Sequence, residues 1–292
     1  FLYDAILDNT IIYFHNAKFD YNYLIREIKG TSEIMNGGNF ISHKGTFKKH
    51  HIIIKDSYKI ISSPLANFPE LFKNIQGEKE FINHNFYNMN DIYKNNLFTK
   101  DDFLEQFKPN GKYPQSDKYD DDTAEIVLNN CERLGFINED GLIDALKYRS
   151  YYCDMDCRIL AEGMITIRKQ YLEEFNIDIY DILTTPAIAN THLALSGVFE
   201  YCVELTGHLR EYIEGSIVGG RVMTANNEKI HIKGKLADMD AVSLYPSAMV
   251  RWEGLPEGEP KILTEEQLDY NTIKGFDWYI VDVEITDLKI KR

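Results

Sequence analysis

The chain has 292 residues, 44% of them hydrophobic and 27% charged, which is enough to bury one large or two ordinary cores and excludes a disordered or collagen-like chain. No run of about 18 apolar residues is present, so no membrane-spanning helix and no membrane partner is expected. The formal net charge of -14 argues by itself against a polyanionic partner, because phosphate binding is carried by Lys and Arg; yet a net charge can hide a local basic groove, and carboxylates that hold Mg²⁺ add to the same negative total.

The start, Phe1-Leu-Tyr-Asp4, carries neither Met nor a basic-then-apolar leader and reads as a chain entered in mid-domain. Ile11-Ile-Tyr-Phe14 is a β-branched and aromatic run that predicts a strand. Asp20 to Ile28 predicts a helix, His51-Ile-Ile-Ile-Lys55 a strand, and Leu65 to Ile75 a second helix. Strands alternating with helices predict an α/β layer. From Asn83 to Asp122 the chain is polar, rich in Asn, Lys and Tyr, and predicts an irregular insertion with a short helix near Asp101 to Phe107. The acidic stretch Asp117 to Glu125 reads as a solvated loop and helix start. Gly141 to Phe175 has long helical periodicity with room for a break, and Pro186 to Leu205 predicts another helix with proline in its first turn. Lys235 to Asp240 and Trp278 to Ile285 predict strands, with a tight turn at Pro246 between them. A domain boundary falls between about residues 180 and 215. The four cysteines, Cys131, Cys153, Cys157 and Cys202, form no C-x-x-C pair. They read as reduced core or helix thiols in a cytoplasmic setting, with zinc as the alternative.

Three groups of residues suit metal-assisted phosphoryl chemistry. Asp240 ends an apolar run and is followed by Ser243-Leu244-Tyr245-Pro246; a carboxylate at a strand end points into a cleft where it can hold Mg²⁺, and the next turn places the Tyr245 ring to pack beneath a sugar. An ordinary strand-to-turn connection with a solvent-facing Asp gives the same letters. Asp238, two residues earlier, faces the same way on a strand and reads as a solvated edge residue, with an extra metal-shell carboxylate as the alternative. In Phe14-His-Asn-Ala-Lys-Phe-Asp20, a strand leads into a helix start that offers a carboxylate and an aromatic stacking base; an Asp N-cap with a core Phe is the plainer alternative. In Tyr152-Cys-Asp-Met-Asp156, the spacing of four puts a phenol and a carboxylate on one helix face.

These segments, in this order, resemble family B DNA polymerases. D-x-x-S-L-Y-P at Asp240 to Pro246 is similar to polymerase motif A, and its wording resembles the protein-primed branch of phages, adenoviruses and linear plasmids. Leu255-Pro-Glu-Gly-Glu-Pro260 resembles the segment after motif A in the phage enzymes. The resemblance implies that Asp240 is catalytic and binds both polymerase metals, that Ala241, Leu244 and Tyr245 contact the incoming dNTP with Tyr245 as the steric gate, and that Ser243 contacts DNA. Phe14 to Asp20 resembles the second exonuclease motif, implying that Asn16 and Phe19 hold the single-stranded 3′ end and that Asp20 binds metal. Tyr152 and Asp156 resemble the third, Y-x-x-x-D, with Asp156 on metal and Tyr152 on the attacking water. Lys79-Glu-Phe-Ile82 resembles the K-x-x-hydrophobic element, with Lys79 assisting phosphate chemistry. Asp56-Ser57-Tyr58 resembles the Ser-Leu element whose Ser57 binds single-stranded DNA. Ile217-Val-Gly-Gly-Arg221 resembles the Y-x-G-G linker, implying DNA contacts from Gly219, Gly220 and Arg221, with Ile217 where Tyr is usual.

The resemblance implies an α/β, ribonuclease H-like 3′-5′ exonuclease domain over residues 1-185, incomplete at its start and carrying an insertion near 83-147. A helical connection over 186-214 comes next, and then the start of a polymerase palm over 215-292, which opens a segment that contacts a terminal protein. It further implies Mg²⁺ or Mn²⁺ in two-metal sites, with primer-template DNA, a single-stranded 3′ end, dNTPs and a priming protein as partners. No D-x-E precedes Phe14 and no D-T-D is present; each metal site needs both of its walls, so the 292 residues alone are expected to be inactive. A stand-alone 3′-5′ exonuclease and an inactive DNA-binding scaffold are the alternatives.

Overall fold

The computed structural model describes residues 7-286 apart from 74, 76-79, 115-117, 120, 220, 221, 223, 253, 255 and 285, and only the backbone of Thr31, Asp121 and Ala225. The chain divides into two compact units, Phe1–His192 and Leu193–Arg292.

The first unit is built on a four-stranded sheet in the order β1-β4-β3-β2. β1 (Thr10–Phe14) runs parallel to β4 (His50–Asp56), with Phe14 opposite Asp56. β4 pairs antiparallel with β3 (Asn39–Phe47), and β3 with β2 (Ile28–Asn36). The expected β1 and β4 are present; the β2-β3 hairpin is a correction. The helix read over Asp20 to Ile28 spans Lys18–Leu24, and Ile28 instead opens β2. The hairpin's signal is the Asn36-Gly-Gly-Asn39 turn, where Gly37 and Gly38 take φ of 54° and 78°, a conformation that two glycines supply without a side-chain clash.

One sheet face packs Ile28, Phe40, Phe47, Ile52 and Ile54 against Ala17 and Tyr21 of the helix and its entry. A second cluster joins Ile60, Phe68 and Phe72 to Ile159 and Met164 of the long helix Ala145–Phe175. That helix is continuous over 31 residues. Asp144 caps its start, accepting from the N–H groups of Leu146 and Lys147, and Asn176 in the left-handed conformation ends it. Gly163 lies where a Cβ would meet Phe68 Cδ2 at 2.5 Å. Gly163→Ala is therefore expected to destabilise by about 1–3 kcal/mol despite the better helix propensity of Ala, read as a lower thermal midpoint; an unchanged or higher midpoint contradicts the packing.

The helix read over Leu65 to Ile75 is shorter, a 3₁₀ turn Leu65–Asn67 running into Phe68–Leu71. The polar stretch after it is a packed subdomain, not an irregular loop. Helices His84–Met89, Lys100–Leu104 and Asp121–Arg133 and the two-residue strands β5 (Leu97–Phe98) and β6 (Ile143–Asp144) enclose Phe86, Phe103, Phe107, Val127 and Cys131. Its Asn, Lys and Tyr content hides a phenylalanine core whose spacing follows no single period. Tyr148 and Tyr152 belong to the same cluster, so the long helix carries this subdomain on its first half and the Phe68 cluster on its second.

Glu80 closes the join. It accepts from Asn130 Nδ2 at 2.9 Å and lies 3.3 Å from the Tyr148 hydroxyl, which donates to the Phe81 carbonyl at 2.8 Å. Burial raises the Glu80 carboxyl above the ordinary glutamate value, outweighing the hydrogen bond from Asn130 and the nearby Tyr148 hydroxyl. A folded-state value above the unfolded one means that the associated stability is present below the unfolded value and lost as pH rises through the folded one. Glu80→Gln is expected to reduce the fall in thermal midpoint between mildly acidic and neutral pH; a fall equal to that of the parent chain contradicts this.

The helix read over Pro186 to Leu205 ends earlier, the segment Thr185–Leu195 being helical, with the second unit beginning within it at Leu193. Helices Gly207–Gly215, Leu244–Val250 and Tyr270–Lys274 come after it. The expected strands at 235–240 and 278–285 do not form among the described residues, and residue 285 lies outside them. Alternating apolar residues make a strand only when a ladder partner stands beside them, and none does among the described residues of this unit. The turn expected at Pro246 is the first turn of helix Leu244–Val250, where proline costs no hydrogen bond.

Candidate functional site

β1 and β4, parallel and adjacent, end side by side, and most of the first candidate site grows from those ends. Asn16 lies just past β1 with φ of 62°, a left-handed conformation that asparagine tolerates. Its N–H donates to Asp56 Oδ1 at 2.9 Å, and its side chain is exposed. Asp20 lies in the first turn of Lys18–Leu24. Burial, and then the Asp56 carboxylate, hold the Asp20 carboxyl above the usual aspartate range; a cation beside it would relieve that cost. Phe19 is 68% exposed and meets Tyr23 edge to face at 5.3 Å, so two aromatic rings one turn apart stand in solvent. Tyr23 is not singled out by any motif, although its i,i+4 relation to Phe19 is visible in the sequence.

Ser57 differs from expectation. It is fully buried, its hydroxyl donates to the Phe14 carbonyl at 3.0 Å, and His15 Nδ1 lies 3.0 Å away. As placed, it braces the ends of the two strands and offers DNA no surface.

The second group lies on the long helix. The Tyr152 hydroxyl donates to Asp156, one turn on, and burial followed by that carboxylate pushes the phenol far above its ordinary value. Tyr152 therefore stays protonated and works as a donor. Tyr152 is nearly buried and Asp156 half-buried. His84 stands edge-on to the Tyr152 ring at 6.2 Å; no sequence pattern signals it, because the contact joins residues 68 positions apart. Asp154, on another face, pairs with Arg158 at 2.9 Å, which leaves Asp156 as the carboxylate beside Tyr152. Lys79 lies outside the described residues.

In the second unit, Asp240 and Ala241 are exposed and lie outside any helix or strand. Ser243, at φ of 52°, turns the backbone into helix Leu244–Val250, and the Leu244 and Tyr245 side chains are exposed. Gly219 is described and exposed, whereas Gly220 and Arg221 lie outside the described residues. Asp238 is exposed like Asp240.

Among the described residues, no three His, Cys, Asp or Glu side chains gather as a metal-binding group. Each of Asp20, Asp156 and Asp240, taken by itself, offers oxygen donors only, which suits Mg²⁺ or Mn²⁺, cations that complete their shells with water and phosphate oxygens. The cysteines are free thiols, and burial pushes Cys131 up to about 12, in keeping with a core thiol.

A family described as DNA polymerase type B, organellar and viral, matches residues 5–292. The chain belongs to that family. No curated protein and no solved structure matches it. DNA polymerases of this family are nucleotidyltransferases that take DNA and dNTPs and in general use divalent metal ions. No helix among the described residues is long and apolar enough to cross a membrane.

Proposed function

We propose that these residues form the proofreading region and the start of the palm of a protein-primed type B DNA polymerase, replicating a viral or plasmid-like DNA from the cytoplasm or an organelle interior. The observation that carries the proofreading reading is the hydrogen-bonded Tyr152–Asp156 pair on one face of the long helix, in a chain of this polymerase family. The parallel β1-β4 pair beside an antiparallel hairpin supports a ribonuclease H-like sheet.

In this reading the exposed Phe19 ring, with Tyr23, stacks on a base of the 3′ end, a contact that tolerates any sequence. Asn16 contacts the same strand. Asp20 and Asp156 hold metal, and Tyr152, fixed by Asp156, orients the water that attacks the terminal phosphate; Lys79 offsets the charge that develops there. Metal held by Asp20 and Asp156 would lower the pKa of that water and offset the charge on the attacking and leaving oxygens. On the polymerase side, Asp240 supplies a metal carboxylate and Tyr245 packs under the dNTP sugar, with Ala241 and Leu244 beside it; Ser243, Gly219, Gly220 and Arg221 contact primer-template. The segment after Pro260 meets a terminal protein.

The D-x-E before Phe14 and the D-T-D whose carboxylates would complete the two metal sites are not among these residues, so the 292 residues alone are expected to be inactive in both reactions, and an enzyme that includes those motifs is expected to perform both. The test is Mg²⁺-dependent release of nucleotides from a single-stranded 3′ end, and extension of a paired one, by the complete enzyme. Absence of excision under conditions that support extension overturns the proofreading reading. Robust extension by the purified 292 residues overturns the statement that they are incomplete.

A further inference from the structure

Asp56 ends β4 and is 3% exposed. Its Oδ1 accepts two backbone donors, the N–H of Asn16 at 2.9 Å and the N–H of Tyr58 at 3.0 Å. Beside it, Ser57 Oγ donates to the Phe14 carbonyl at 3.0 Å, and the His15 ring spans Ser57 Oγ at 3.0 Å and the Ser63 carbonyl at 2.8 Å. Three consecutive residues at the end of β1 are therefore laced to the segment just past β4, and the sharpest bend among them, Asn16 at φ 62°, is the one held by Asp56. From that bend the chain enters the helix that carries Phe19 and Asp20.

We propose that Asp56 is a positioning residue for 3′ excision: it fixes the bend at Asn16, and through it the placement of Asn16, Phe19 and Asp20, without touching DNA or metal. The inference rests on the exonuclease reading of this region. An acidic residue near Asp20 invites assignment as a further metal ligand. The geometry argues for the other role, because Oδ1 of the buried Asp56 is already committed to two backbone amide donors in part-buried hydrogen bonds, and losing that acceptor costs both of them.

The two roles predict opposite orders among substitutions. Asp56→Asn keeps an oxygen at the same reach and loses the charge; Asp56→Glu keeps the charge and moves it by one methylene. In the complete enzyme, Asp56→Asn is expected to retain excision within about threefold, and Asp56→Glu to lose about tenfold to a hundredfold in kcat/KM, because a displacement near 1 Å carries losses of that size. The loss should appear chiefly as a raised KM for a single-stranded oligonucleotide, with primer extension unchanged; general destabilisation would lower the active fraction in both reactions and leave KM alone. Asp56→Ala should resemble Asp56→Glu if it folds. Retention by Asp56→Glu with loss in Asp56→Asn overturns the proposal in favour of a charge-dependent role, and full excision by both variants also overturns it. Asp20→Ala separates the levels: if it abolishes excision while Asp56→Glu does not, only this inference fails, whereas if Asp20→Ala retains excision, the exonuclease assignment fails with it.

Discussion

In the complete enzyme, Asp240→Asn is expected to lower nucleotide addition by about a thousandfold or more while leaving 3′ excision within about twofold, as measured on a labelled primer-template with and without dNTPs. The size comes from the residue's setting. Asp240 is exposed, so exchanging its carboxylate for an amide of equal size removes a charge without opening a cavity or stranding a buried donor. A loss of this size would then be a loss of chemistry, not of fold, and the thermal midpoint should not move. Asp238, two residues earlier and equally exposed, provides the internal comparison: Asp238→Asn should leave addition within a few-fold, as surface substitutions away from chemistry do.

Asp156→Ala is expected to do the reverse, cutting excision by about a hundredfold to ten-thousandfold and sparing addition. Asp156 is half-buried and accepts from Tyr152, so the substitution removes the proposed metal carboxylate and the acceptor that holds the phenol. Tyr152→Phe, which keeps the ring in its packed place and deletes only the hydroxyl, should give a smaller loss of about tenfold to a hundredfold, the contribution usual for a positioned proton donor or acceptor. Excision retained in both variants contradicts the assignment of the pair.

The parts of this chain that were legible in the sequence are those governed by short-range pattern. The strand at β1, the strand at β4 and the helix through Tyr152 and Asp156 each arise from a run of residues within one or two turns. In the polar stretch after Asn83 only the short helix near Asp101 to Phe107 was legible, because the rest of its order comes from Phe86, Phe103 and Phe107 packing on Tyr148 and Tyr152, a core assembled from distant residues with no shared period. The strands read near Lys235 and Trp278 failed for the complementary reason: alternation records a face, whereas a strand needs a neighbour. The site divides in the same way. The residue types and spacing of Asn16, Phe19, Asp20, Tyr152 and Asp156 were apparent, yet the burial of Ser57, the edge contact of His84 on Tyr152 and the committed oxygen of Asp56 depend on which elements pack side by side.

That division bears on how the region works. Ser57 was expected on the DNA and is found behind the bend that presents Asn16, so the Asp56-Ser57-Tyr58 element acts on the strand end it is bonded to. In the proposed reading the exposed aromatic pair Phe19 and Tyr23 meets the single-stranded end, and Phe19→Ala should weaken that binding by about 1–3 kcal/mol, read as a raised KM for excision.

The most direct measurement is one reaction on a primer-template with a mismatched 3′ nucleotide, run with Mg²⁺ and the complete enzyme in its parent, Asp156→Ala and Asp240→Asn forms. The parent should remove the mismatch and then extend, Asp240→Asn should remove it and stop, and Asp156→Ala should leave it in place while still extending a matched primer. Removal and extension that survive in both variants would contradict the placing of a proofreading carboxylate at Asp156 and a polymerase carboxylate at Asp240.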